Sequence, residues 1–275
     1  MAQKTSKGLI QLLRLLHTNT PAALKDALPI SNLLLKEEPR NTHVMARKSY
    51  LVAQDWRCGY DTKEFSADCK AHVGKRNGLE GAIAWAERAI DTDPASPYGY
   101  WALGYALKYK RDYGNSANAY AIALSKPPAA FPDITASRRH LIVEWVESQI
   151  YWDNGGLGSF VSVFDEYQNL QKRDLWINWV KSFLLHQLRR YKEAVDALPD
   201  LPQDGDVHLM LAASYARMGK SFDKQRAFHR DRFRAKPGRE RWTAKDEKDR
   251  DAFLTMKGGN PARDHWIESC RLALS

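Results

Sequence analysis

The chain has 275 residues, 44% of them hydrophobic and 27% charged, with only 12 Pro and 16 Gly, which excludes collagen-like, low-complexity and largely disordered proteins. Its formal charge of +9 suggests an acidic partner such as nucleic acid, anionic lipid or an acidic peptide. Three cysteines, Cys58, Cys69 and Cys270, cannot build a disulfide framework and fit a reducing compartment, so a cytoplasmic location is expected.

At the N-terminus, Lys4, Lys7, Arg14 and Lys25 stand without an acid in the first 25 residues. The apolar stretch from Gly8 to Leu16 is broken by Gln11 and Arg14, which makes a poor secretory core and too short a membrane span. Gly8 to Pro39 reads as a first helical hairpin, because Ala27 and Pro39 have the spacing of Ala82 and Pro94 further on. Within it, Pro29 sits in a helix's first turn or kinks the helix. The interval from Pro39 to Pro94 exceeds one repeat, and the excess is placed as an insertion near 58–77.

The segment GAIAWAERAIDTDP carries Ala82, Ala86, Ala89 and Pro94, and 34 residues later Ser116, Tyr120, Ala123 and Pro128 take the same places. Small residues at helical spacing let two antiparallel helices approach closely, and the proline ends the unit. From Pro132 to Arg173, HLIVEWVESQIYW and FVSVFDEYQNL suggest two helices joined at Asn154-Gly155-Gly156. An offset of 78 then lays Leu107, Arg111 and Tyr113 on Leu185, Arg189 and Tyr191, with Ala194 at the small position. An offset of 108 lays Leu103, Gly104, Leu107 and Tyr120 on Leu211, Ala212, Tyr215 and Phe228, closed by Pro237. Lys224 falls there on a small-residue place, so that hairpin is splayed or buries the lysine's aliphatic stem. Two amphipathic pieces beyond Trp242 flank Gly258-Gly259-Asn260-Pro261.

The segment PYGYWALGYALKYKRDYGNSANAYAIALSKPP resembles a tetratricopeptide repeat, through Tyr100, Leu103, Gly104, Leu107, Tyr113, Ser116, Tyr120, Ala123 and Pro128, with Ser116 in place of the family's alanine. The resemblance implies an all-α fold, a right-handed alpha-alpha superhelix of about five or six hairpins. The repeat domain would run over 1–241, with its best units at 63–94, 97–128, 175–206 and 205–237, and 242–275 would be a helical cap. The opening also looks loosely like the repeat regions attached to bacterial nucleotide cyclases and transcriptional regulators.

In such repeats the first helix of each hairpin lines a concave groove. That implies groove positions at Tyr98, Trp101, Tyr105, Lys108 and Tyr109, with counterparts Trp176, Trp179, Phe183 and His186. Amphipathic aromatics supply large contact area to a peptide at small entropic cost. The same stripe equally suits packing between hairpins, the commoner use of aromatics at helical spacing.

The charge is local. Residues 1–50 carry +5, residues 220–241 carry +6, and the remainder is −2. Arg226, Arg230 and Arg234 stack on one helix face, followed by Arg239 and Arg241, and such a patch would hold phosphates in a salt-dependent way. A solvated face near a helix C-terminus needs the same residues. Cys58, Cys69, His72 and His43 lack the compact spacing of a structural zinc site, so no metal is expected. Asn154 to Gly158 lacks the lysine and preceding strand of a phosphate loop. Asp91 and Asp93, before Pro94, suit a helix end as well as an acid–base pair. The expectation is therefore a non-enzymatic protein-interaction module without cofactor that binds a peptide or partner domain. The alternatives are a nucleic-acid-associated protein using 220–241 and, third, a helical-toroid hydrolase with carboxylates converging in its concavity.

Overall fold

The computed structural model describes residues 7–18, 20–58, 63–74, 78–126, 138–152, 157–162, 164–165, 175–198, 205–235 and 261–275. Every element among them is helical, and none of these helices is long and apolar enough to cross a membrane. The chain divides into two compact units, Met1–Ser148 and Gln149–Ser275.

The first unit opens with α1 (Lys7–Thr18) and α2 (Pro21–Glu37), which pack together as a hairpin. Thr20 starts α2: its Oγ1 accepts from the Ala23 amide at 3.3 Å, and Pro21 occupies the first turn, where a missing N–H costs nothing. Pro29 lies in the middle of α2 rather than at its start. Next come α3 (Thr42–Cys58), α4 (Lys63–Val73), α5 (Gly78–Thr92), α6 (Pro97–Tyr109) and α7 (Tyr113–Ser125), with the residues of α8 (Arg138–Trp152) up to Ser148. The close partner of α5 is α3, not the α4 that a 63–94 repeat would supply. Ser49 Oγ on α3 donates to the Ala82 carbonyl of α5 at 2.7 Å. The inserted α4 is held at the side by Phe65 and Cys69, both buried in the core of α1 to α5, and by Asp68, 2.8 Å from the Lys48 ammonium.

Between α6 and α7 the small residues do what their spacing implies. A Cβ on Gly104 would stand 2.9 Å from the Tyr120 ring, so only glycine allows this approach. Ser116 Oγ donates to the Gly104 carbonyl at 2.8 Å. The turn closes with Arg111 at φ 67°, while the Asp112 amide reaches the Leu107 carbonyl at 3.0 Å and the Arg111 amide reaches that of Lys108 at 3.0 Å. That is a Schellman ending.

The second unit contains a 3₁₀ turn (Leu157–Phe160), α9 (Leu175–Gln187), α10 (Tyr191–Asp196), α11 (Gly205–Met218), a second 3₁₀ turn (Lys220–Phe222), α12 (Asp223–Arg234) and α13 (Pro261–Leu274). The α9–α10 turn repeats the one in the first unit. Arg189 has φ 61°, the Arg190 amide reaches the Leu185 carbonyl at 2.9 Å, and the Arg189 amide reaches that of His186 at 3.0 Å. Ser182 Oγ donates to the Ala194 carbonyl at 2.7 Å. After α11 the chain turns at Gly219, whose φ of 98° and ψ of −176° differ from the turns at Arg111 and Arg189. Lys224 is exposed, so its aliphatic stem is not buried in this hairpin. Helix α13 packs on α11 and α12, burying Trp266, Ile267, Cys270 and Ala273. The helix thus covers the apolar side of those helices, while the other part of the expected 242–275 cap, up to residue 260, lies outside the described residues.

Candidate functional site

The face of α6 that the repeat pattern assigns to a groove is covered by α3. Tyr98 is 7% exposed, Trp101 3% and Tyr105 4%. His43 stacks on Tyr98 with ring centroids 4.1 Å apart, Tyr50 stacks on Trp101 at 5.4 Å and meets Tyr105 at 4.6 Å. The Arg47 guanidinium lies 4.4 Å from the Trp101 ring centre. These aromatics are therefore cement between α3 and α6, and a peptide could touch them only by displacing α3.

Lys108 and Tyr109 end differently. Buried Lys108 donates from Nζ to Glu144, and to Glu147 at 3.0 Å, both on α8. Burial works against its charge, but the two carboxylates beside it hold the ammonium well above its ordinary pKa. Burial pushes the Glu147 carboxyl up. Tyr120 Oη donates to Glu144 at 3.3 Å, and Ser116 and Ser148 hydroxyls meet at 3.0 Å. Half-buried Tyr109 carries the Arg57 guanidinium 5.4 Å from its ring centre, and Arg57 is exposed. Arg57 and Tyr109 thus form the accessible rim next to the buried aromatic face, beside Glu144 and Glu147, whose side chains are only 12% and 14% exposed.

Sequence reading picked Lys108 and Tyr109 but not Arg57, Glu144 or Glu147. The signal for the last two was the three-residue spacing of acids on an otherwise apolar helix, which puts both on one face. They are two converging carboxylates, the feature a helical hydrolase needs. Both, however, are engaged by one ammonium, so neither stands ready as a base.

In the second unit, Phe183 and His186 are buried and Trp179 is half-buried, its ring 5.4 Å from that of Phe183. The Trp176 side chain lies outside the described residues. Phe183 meets the edge of Trp266 at 5.3 Å, so α13 covers this face. His186 Nδ1 is 3.0 Å from Ser214 Oγ. Burial, then the neighbouring His265, press its pKa down to about 3, which keeps the ring neutral and makes it a packing group at neutral pH.

The basic stripe is partly engaged within the second unit. Arg226 Nη1 donates to the Leu272 carbonyl at 3.4 Å and Arg234 Nη2 to the Leu274 carbonyl at 2.6 Å, so two of the three arginines satisfy the open carbonyls at the end of α13. Arg230 pairs with Asp231 at 3.1 Å, and Arg239 and Arg241 lie outside the described residues. His43 is taken up by Tyr98 and by a hydrogen bond from Arg47 Nε at 3.2 Å, while burial pushes the Cys69 thiol up to about 12, a poor metal ligand at neutral pH. The Cys58 side chain is outside the described residues. Asp93 accepts from the Ala95 amide at 3.0 Å, shaping the turn before α6. No protein-family model matches the chain, and no curated protein matches it.

Proposed function

We propose that this chain is a tetratricopeptide-like, non-enzymatic module that holds a protein partner, working in the cytoplasm. The observation that supports the repeat reading is the turn: left-handed residues with the same pair of Schellman bonds stand at 111 and 189, the offset of 78 that aligns the apolar positions. Serine-to-carbonyl bonds across the α3–α5, α6–α7 and α9–α10 pairs accompany it. Buried free thiols at Cys69 and Cys270 suit a reducing compartment.

Because the aromatic stripe is occupied by α3, the partner is assigned to the accessible rim of Arg57 and Tyr109, beside the mostly buried carboxylates of Glu144 and Glu147. Its mixed charge suits a polar segment with complementary charges, fixing register more than supplying affinity. The test is affinity capture from native extract with wild type and an Arg57→Glu, Tyr109→Ala double variant, with circular dichroism confirming equal helicity. Loss of one or more specific partners, by about 10-fold or more in recovery, is expected; an unchanged partner set removes the rim assignment.

A further inference from the structure

One residue of the second unit breaks the repeat pattern. The offset of 78 places Lys181 where Leu103 stands, and the offset of 108 places Leu211 there. Leu103 packs against the core of the first unit and Leu211 is buried. Lys181 is only 9% exposed, yet carries a charge. A leucine would serve packing at this place better than a desolvated ammonium.

Lys181 lines a cavity of about 210 Å³. Its apolar floor is Val161, Leu185 and Ala197. The walls carry two cations, Lys181 and Arg190, and three carboxylates, Asp165, Glu193 and Asp196. Lys181 Nζ is 2.7 Å from Asp165 Oδ1, and the Asp165 side chain is 59% exposed. Arg190 is held in a two-pronged pair by Glu193, with its Nε at 2.7 Å from Oε1. Asp196 is met by Lys192 at 2.9 Å.

We propose that this cavity binds a free α-amino acid with an aliphatic side chain of leucine's size. The ligand carboxylate takes the place of Asp165 on the Lys181 ammonium. Its own ammonium faces the Asp196 carboxylate, and its side chain lies on Leu185 and Ala197. The volume sits below the roughly 300–1,000 Å³ of sites for drug-sized ligands, which restricts the occupant to a small metabolite. A simple anion would face a lining with a net negative charge, and a simple cation would face Lys181 and Arg190. A dipolar ion matches both signs at once. The exchange at Lys181 is cheap because an exposed carboxylate contributes little as an ion-pair partner and regains full hydration when it swings out. This site rests on the cavity and its charges and is separate from the rim assigned to a protein partner.

The experiment is calorimetric titration of the full chain with L-leucine, 4-methylpentanoate, 3-methylbutylamine and inorganic phosphate. L-Leucine is expected to bind, and the acid and the amine, each lacking one charge, to bind at least ~10-fold more weakly. Lys181→Leu, which restores the residue found at the equivalent places, should keep the helical signal and melting temperature while losing leucine binding. Asp196→Asn, which removes the partner of the ligand's ammonium, should keep the fold and weaken leucine by about 3-fold or more, and it decides the question should Lys181→Leu not fold. The proposal is overturned by no heat from L-leucine up to about 10 mM, by an analogue or phosphate binding as well as leucine does, or by unchanged binding in either variant.

Discussion

Arg111 and Arg189 occupy a backbone region that costs an L-residue with a side chain roughly 1–2 kcal/mol. They remain there because the two Schellman bonds of each turn and the close helix crossing behind it leave the chain no other path. Replacing exposed Arg189 with Gly is therefore expected to raise stability by a few tenths to about 1 kcal/mol, even after the added freedom of the unfolded chain. Gly219→Ala is the mirror experiment. Nothing stands within 4 Å of the added Cβ, so only the backbone opposes it, at φ 98° and ψ −176°, a region essentially confined to glycine, and the loss should be about 1–3 kcal/mol. Urea unfolding of both variants reads the opposite signs. The sequence contained the alignment of Arg111 with Arg189 but not their conformation, since arginine has no preference for a left-handed turn.

At the scale of elements, Lys108 fastens α6 to α8 through Glu144 and Glu147. Lys108→Met should cost about 3–5 kcal/mol at neutral pH, because two buried carboxylates lose their counter-charge. Burial already raises the Glu147 pKa, so its neutral form is favoured in the folded state. The stability it contributes is present at low pH and is lost as pH rises through its folded-state pKa. The deficit of the variant should therefore shrink between pH 7 and pH 5, as unfolding curves at the two values would record. The hairpins themselves were readable from Ala82, Gly104, Ser116 and Ala194, because a small residue at a helix crossing is a local requirement. What covers a helix was not readable. The spacing of Tyr98, Trp101 and Tyr105 marks a face, but the approach of His43, Arg47 and Tyr50 from α3 depends on tertiary packing. The same limit hid Glu144, Glu147 and the cavity beside Lys181. The identity of α5's partner was obscured because α4 lies between them in sequence.

For the whole molecule, the charge of +9 loses much of its force as an argument for nucleic acid. The arginines that gave the C-terminal excess its regular spacing are engaged with the end of α13 and with Asp223 and Asp231. Retention on an oligonucleotide column across a salt series should accordingly be weak near physiological salt, with a slope far below the six to ten phosphate contacts of a dedicated binder. Arg226→Ala with Arg234→Ala should loosen α13, seen as faster amide exchange from Trp266 to Leu274, without changing that retention. The separation of α3 from α5 has a consequence of another kind. Opening a hairpin's connection from residues 110–112 to residues 59–77 raises the entropy of closing it by only about 1–2 kcal/mol. Ser49 and Ala82 still meet across the gap. The fold thus contains a port where chain can be added without resetting anything downstream, a natural place for a binding element to be acquired, exchanged or grafted.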